Sequence, residues 1–371
     1  MHIKKMKTFL ILLIMGLFLF PGCNEQPPVT YDGNAHLVVI ALWDTAGLGN
    51  TADFIPLQNA KAIISNEYGI AVHYTDLQGR LDLSSVPSSV YGVSVRMPHP
   101  EDSNIMITGS ITNLEVISGS TVQDTIMAQP ISSSGISINE IYMVGPVNSI
   151  FYLFDQFIEL YNASDSIKYL DGMMVMRFSS NTDGQGPGAD EYGDGSIQGV
   201  TYAFKFPGIP GEQNYPFYPK QFIVLASDAM DHRSMVSTSI DLSNADWEFY
   251  NQFSPNDVDN PNVPNLINMR SDKTSDFLCG LTADVIIVSS GVDSIWADGI
   301  EIETVIDGVE YQSNHHPQNK KTLDQRVDRS YVLSPPRYSG LSMKRREPGL
   351  DSNNSLDDFS PDHSSPTPGY H

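Results

Sequence analysis

The 371-residue chain is 40% hydrophobic and 18% charged, too apolar and too sparsely charged for a disordered polypeptide. With 21 Lys and Arg against 44 Asp and Glu, its formal net charge is −23, which repels phosphate backbones and argues against nucleic acid as a general partner. Two cysteines exclude a disulfide-rich scaffold and a multi-cysteine zinc site, and at about 150 residues per domain the length predicts two domains, or one large one with an appendage.

The N-terminus reads as an address. Lys4, Lys5 and Lys7 precede Thr8–Phe20, an apolar run of 13 residues, shorter than the roughly 20 helical residues needed to span a bilayer and of signal-peptide length. It ends at Phe20-Pro21-Gly22-Cys23, which resembles a bacterial lipobox. The resemblance implies a signal peptide over residues 1–22, lipid attachment at Cys23 and a polar tether over residues 23–30. It further implies an anchor of two or three acyl chains, where one chain alone holds only marginally. Asn24 stands in place of the aspartate that retains many such proteins at the inner membrane, so an outer-membrane location is expected, on its periplasmic or cell-surface side.

From Tyr31 onward the periodicity is that of strands. His36–Trp43, Gly69–Thr75, Val90–Val95 and Thr121–Met127 are short runs rich in Val, Ile, Thr and Tyr, separated by turn residues. Gly79 is placed for a positive φ in the turn Thr75–Arg80. The series Pro56-Leu57 with Ala60, Thr75-Asp76 with Gly79, Leu83, Val86-Pro87, Tyr91, Val93 and Val95 resembles the carboxypeptidase regulatory-like (prealbumin-like) β-sandwich over residues 31–130. Such modules are non-catalytic, which implies a spacer or assembly role. Gln129–Gly135 reads as a linker, with the boundary at residues 131–135.

Beyond it, Ile136–Tyr142 alternates. "INEI" (Ile138–Ile141), "FIELYN" (Phe157–Asn162) and "YLDG" (Tyr169–Gly172) resemble the opening of a lamin-tail domain, an immunoglobulin-like sandwich. The likeness continues through Phe222–Ser227, Asp284–Ser289, Gly291–Ile295 and Ser342–Arg345 to Asp357–Phe359 and Ser365–Gly369, with Lys344 where the family has glutamate. It covers residues 136–371, with long loop insertions at 179–220 and 228–265. The fold class expected is therefore all-β, two β-sandwich domains. Taken together, the chain resembles a Bacteroidota lipoprotein family of unknown function that joins these two modules.

Chemistry-bearing motifs are few. Trp43–Gly47 copies a GTPase "WDTAG", yet the sequence holds no Gly-Lys-Ser or Gly-Lys-Thr to cradle phosphates. Asp183, Asp190, Glu191 and Asp194 lie on a Gly-rich run that reads either as a calcium loop or as a solvated hydrophilic insertion. Asn256–Asn262 has the same two readings. His315-His316 read as loop residues, since neighbouring strand histidines face opposite ways, and Cys279 reads as a buried small hydrophobe. There is no Ser-nucleophile elbow. Tyr202, Phe204, Phe206, Tyr215, Phe217 and Tyr218 form an aromatic stretch that either presents a binding surface or closes the edge of the sandwich. Four Asp-Ser/Thr-apolar triplets, at Asp44, Asp124, Asp165 and Asp293, match a loose O-glycosylation pattern.

The expectation is a non-enzymatic, lipid-anchored cell-envelope protein without a required cofactor. Its proximal sandwich acts as a stalk, and its distal insertions bind an envelope protein or a glycan. A narrower version is an accessory to a TonB-dependent outer-membrane transporter. The alternative is a hydrolase of polysaccharide or phosphoester with its site in the 179–220 insertion.

Overall fold

The computed structural model describes residues 33–45, 54–100, 105–132, 135–178, 196–315, 323–324 and 327–369. Its eight N-terminal strands are β1 (Ala35–Asp44), β2 (Phe54–Pro56), β3 (Lys61–Asn66), β4 (Gly69–Tyr74), β5 (Arg80–Val86), β6 (Ser89–Pro98), β7 (Ile105–Val116) and β8 (Thr121–Ser132). They form one sheet in the order β2-β1-β8-β7-β6-β3-β4, with β5 added to β1. Alternate residues point inward, as the two-residue period demands: Leu37, Val39 and Ala41 of β1 meet Ala62 and Ile64 of β3 and Tyr91, Val93 and Val95 of β6 in one core. Gly79 takes φ +70° and lies so close to the Ala41 carbonyl that a Cβ would sit 2.4 Å from its oxygen. Asp76 Oδ1 accepts the amides of Gln78 and Arg80 in the same turn.

The remaining strands are β9 (Ile136–Tyr142), β10 (Phe157–Asn162), β11 (Lys168–Tyr169), β12 (Met174–Phe178), β13 (Ser196–Ile197), β14 (Val200–Lys205), β15 (Pro216–Phe217) and β16 (Phe222–Ala226). They are followed by β17 (Trp247–Glu248), β18 (Ile267–Asn268), β19 (Asp284–Ser289), β20 (Ile300–Glu301), β21 (Val305–Gln312), β22 (Val332–Leu333) and β23 (Met343–Lys344). A five-stranded sheet, β17-β16-β10-β9-β23, faces a six-stranded one, β18-β14-β12-β19-β21-β22. The architecture is all-β. The six-stranded sheet is buried on both faces. Val175, Ile286 and Val288 enter the inter-sheet core, while Met174, Met176, Val285 and Ile287 enter a second core roofed by Ile197, Ile300 and Ile302. This double burial is why Asp284–Ser289 reads as an unbroken apolar run rather than an alternation.

The polar residues of Ile138–Ile141 and Phe157–Asn162 have a structural task. Glu140 and Glu159 lie directly opposite each other on β9 and β10, both fully buried. Their carboxylates receive the chain's last described residues. Thr367 donates its amide (3.2 Å) and hydroxyl (3.1 Å) to Glu140, and Gly369 donates its amide to Glu159 at 2.7 Å. Asn139 holds the other Glu159 oxygen. Lys344 ties down the same segment through the Ser365 carbonyl and the Thr367 hydroxyl. Its ammonium lies 3.7 Å from Glu140.

Arg345 is the second polar hub. Only 2% of its side chain is exposed, and it donates to Asp307 (2.7 Å), Asp358 (3.2 Å) and the carbonyls of Ile138 and Leu350. The loop it fixes, residues 350–358, reaches the first sandwich. Ser65 Oγ donates to Asp357 at 2.6 Å, Arg96 to the Asp351 carbonyl, and Thr108 to the Ser352 carbonyl. Arg329 returns a bond to the Ser110 carbonyl. Gly92 sits at this contact, where a Cβ would lie 2.8 Å from Ser65 Oγ and 3.2 Å from the Asp357 carboxylate.

Candidate functional site

One end of the distal sandwich gathers the β9–β10 connection (residues 143–156), the turn after β16 (residues 228–246) and residues 335–340. The connection Met143–Phe154 carries no charged residue in a chain of net charge −23. Its side chains Val147 (60% exposed), Ile150 (66%) and Phe151 (70%) project into solvent, and Phe154 is also open. Asn148 organises it, with Oδ1 accepting the amides of Ile150 and Tyr152 and Nδ2 donating to the carbonyls of Pro146 and Tyr152. Phe151 is held at φ +62°, a strained conformation for a bulky side chain that persists only where the surroundings over-determine it. Its ring lies edge-on to Tyr338 at 5.6 Å. Thr238 donates to the Val147 carbonyl and Gly340 to that of Gly145, so both neighbouring loops grip the projecting one.

Beneath this apolar tip lies a buried polar layer. His232 donates from Nε2 to the Asp228 carbonyl at 2.8 Å, leaving Nδ1 to accept the Tyr152 hydroxyl. Burial pushes its imidazole below the usual range, so it is neutral. Asp155 accepts the hydroxyls of Tyr142 (3.1 Å) and Ser239 through Oδ2, and its Oδ1 finds no partner among the described residues. Desolvation raises the Asp155 carboxyl. Burial and the Asp155 charge likewise raise the phenols of Tyr142 and Tyr152.

Beside it is an acidic group: Asp228, Glu248, Asp257 and Asp276. Desolvation, then repulsion from Glu248, Asp257 and Asp276, lifts Asp228 to about 7. Asp257 is lifted to about 6 by burial, against the bond from the Asn251 amide. Glu248 is also raised by burial, though the amides of Ala229 and Asn260 cap its two oxygens. Among the described residues, no three His, Cys, Asp or Glu groups stand in metal-holding geometry.

The residues singled out from sequence are dispersed. Cys23 and the acidic run Asp183, Asp190, Glu191 and Asp194 lie outside the described residues. The aromatic stretch is corrected as a surface. Phe204, Phe206 and Phe217 are fully buried and Tyr202 is 8% exposed; Tyr215 packs on the core. Only Tyr218, at 52% exposure, faces solvent. The cause is that β14 is an inner strand of the six-stranded sheet, and Phe204 stacks edge-on to Phe249 and Phe277 within the core. His315 contacts Tyr331 at 3.1 Å, and His316 is outside the described residues. Cys279 is buried with its thiol raised by desolvation. Within Asn256–Asn262, Asp257 does join an acidic group. The exposed β9–β10 loop was missed. Its signal was a charge-free run of large apolar residues around Pro146 and Asn148, a turn composition in which such residues have little core to enter.

The fold thus defines an all-β protein of sandwich domains with a loop-built apolar tip. Residues 218–294 match the sequence model of a family described as "Protein of unknown function (DUF4876)". The crystal structure of a DUF4876 family protein from Bacteroides thetaiotaomicron is similar over 88% of this chain and 94% of that one, at 20% identity and a TM-score of 0.54. The fold is shared with that uncharacterised Bacteroidota family. A candidate carbohydrate-binding protein from Bacteroides uniformis aligns over 39% of this chain and 60% of its own, at 12% identity and a TM-score of 0.20. No curated protein matches the sequence.

Proposed function

We propose that the chain is a non-catalytic binding or assembly module of the cell envelope, held at the outer membrane by lipid on Cys23. Its partner, an envelope protein or a glycan, docks on the apolar tip of the distal sandwich. The observation that carries this reading is the projection of Val147, Ile150 and Phe151, each at least 60% exposed, on a loop rigidified by Asn148. Exposed apolar clusters on rigid supports mark interaction sites, and a preorganised loop loses little entropy on binding. Service to a TonB-dependent transporter is the narrower form of the proposal. Capture of a partner from envelope extracts by the wild type and not by Ile150→Asp/Phe151→Ser supports the reading; equal capture by both refutes it. Equal palmitate labelling of wild type and Cys23→Ser refutes the anchor.

A hydrolase is the second reading, and one observation favours it: Asp228, lifted to about 7 by burial and then by three neighbouring carboxylates, has the affinity of a general acid. It moves the proposed site from the 179–220 insertion to the turn after β16. Polysaccharide or phosphoester turnover abolished in Asp228→Asn would establish it, and turnover unchanged by that substitution would end it.

A further inference from the structure

The two free ends of the proximal sheet are built differently. At one end β1 is bordered by β2, three residues long and closing on Pro56, and by β5, which carries Arg80 and Asp82; short strands, proline and charge are the forms with which proteins blunt an edge. At the other end lies β4, Gly69–Tyr74, with the sequence GIAVHY: it holds no proline, Lys, Arg, Asp or Glu. Ala71, Val72, His73 and Tyr74 are all exposed, Val72 at 50% and Tyr74 at 64%. The strand therefore stands clear of the sandwich on both faces.

Its outer polar groups follow from the register. β4 pairs with β3 through Lys61↔Tyr74, Ile63↔Val72 and Asn66↔Gly69. Thr75 bonds inward, its amide to the Ala60 carbonyl and its carbonyl to the Asn59 amide. Antiparallel partners alternate between bonded and non-bonded pairs, so residues 71 and 73 also bond toward β3. The amides and carbonyls of residues 70, 72 and 74 point away from the sheet.

We infer that β4 pairs antiparallel with β4 of a second copy, about a two-fold axis through Val72. That register sets 70 opposite 74, 72 opposite 72 and 74 opposite 70. Every outward group of the strand is used, in three bonded pairs of two hydrogen bonds each. Shifting the axis by one residue either way leaves one outward position of each strand unpaired within β4. Charge also fits: β4 itself holds no Lys, Arg, Asp or Glu, so no like charges meet in this register. Val72 meets its own copy, a favourable β-branched pair. Two copies joined this way bury the exposed edge that each copy carries alone. The contact is small, in the range of transient interfaces, and it involves neither the distal loops nor their proposed partner.

The full chain, purified in non-ionic detergent, is examined by sedimentation equilibrium up to about 100 μM, a range that captures transient contacts. A reversible dimer is expected, with association at least tenfold weaker in Val72→Lys and retained in Val72→Thr, all three having equal melting temperatures. Under mild oxidation Val72→Cys is expected to yield a disulfide-linked dimer, since directly opposed residues have Cα atoms about 5.5 Å apart, within disulfide reach. Leu77→Cys, as exposed but in the turn beyond the strand's end, where even Tyr74 lies four residues or about 14 Å along the strand from its counterpart, is expected to remain uncrosslinked. A wild type that is monomeric throughout, a dimer indifferent to Val72→Lys, or equal crosslinking at 72 and 77 overturns the inference. So does a monomer that binds a foreign extended peptide along β4. Loss of partner capture by the distal tip leaves these readouts untouched.

Discussion

Replacing Arg345 by Met removes the cation from a buried polar cluster of the distal sandwich. Asp307 and Asp358 are left facing each other's surroundings with side chains 3% and 2% exposed, and the carbonyls of Ile138 and Leu350 lose their donor. Breaking a buried pair by deleting one partner costs about 3–5 kcal/mol, because the remaining charge is neither solvated nor compensated. Both carboxyls already lie above the usual range from desolvation, despite the guanidinium. Without it they rise further, so acid relieves the defect by protonating them. Urea denaturation of Arg345→Met should therefore show the full loss at pH 8 and a smaller one at pH 5. Adding Asp307→Asn and Asp358→Asn should recover most of the pH 8 loss. The damage should also spread: residues 350–358 carry the contacts to Ser65, Arg96 and Thr108, so amide exchange at this seam should accelerate before global unfolding. A loss under about 1 kcal/mol at pH 8, or a triple variant no more stable than the single one, would refute the reasoning.

Asp228 has a folded value of about 7 against an ordinary 3.8, so the folded state binds the extra proton, and this group's contribution to stability falls as pH rises from about 4 to 7. Asp228→Asn should raise the melting temperature at pH 8 and leave it nearly unchanged at pH 4; after allowance for its partial exposure the gain is roughly 1–2 kcal/mol. His232 works in the opposite sense, its depressed value withdrawing stability as pH falls below about 6.5. Asn148→Ala should speed amide exchange at Ile150 and Tyr152 and cost about 1–3 kcal/mol locally, whereas unchanged exchange would mean that Asn148 does not organise the loop. Phe204→Ala should cost about 3–5 kcal/mol and Tyr218→Ala under about 0.5; comparable losses in thermal melts would contradict the burial assigned to the two rings.

The all-β class was legible because strand periodicity is local: Ile136–Tyr142 and His36–Trp43 carry their two-residue alternation and β-branched content in contiguous letters. The polar letters of residues 138–141, 157–162 and 365–369 were also legible, and the structure joins them in the bonds from Thr367 and Gly369 to Glu140 and Glu159. The aromatic stretch at 202–218 was ambiguous, since a ring at a sandwich edge and a ring in its core obey the same composition. Phe204 became core only because β12 and β18 flank β14.

Local chemistry along the chain thus determined strand content and turn positions such as Gly79, both of which depend on neighbours within a few residues. Tertiary structure alone decided the cluster of Asp228, Glu248, Asp257 and Asp276, the Arg345 hub joining residues 138, 307 and 358, and the exposure of the loop at Ile150. Burial, desolvation and charge repulsion act through space, between groups tens to hundreds of positions apart. No pattern confined to one stretch of chain encodes them.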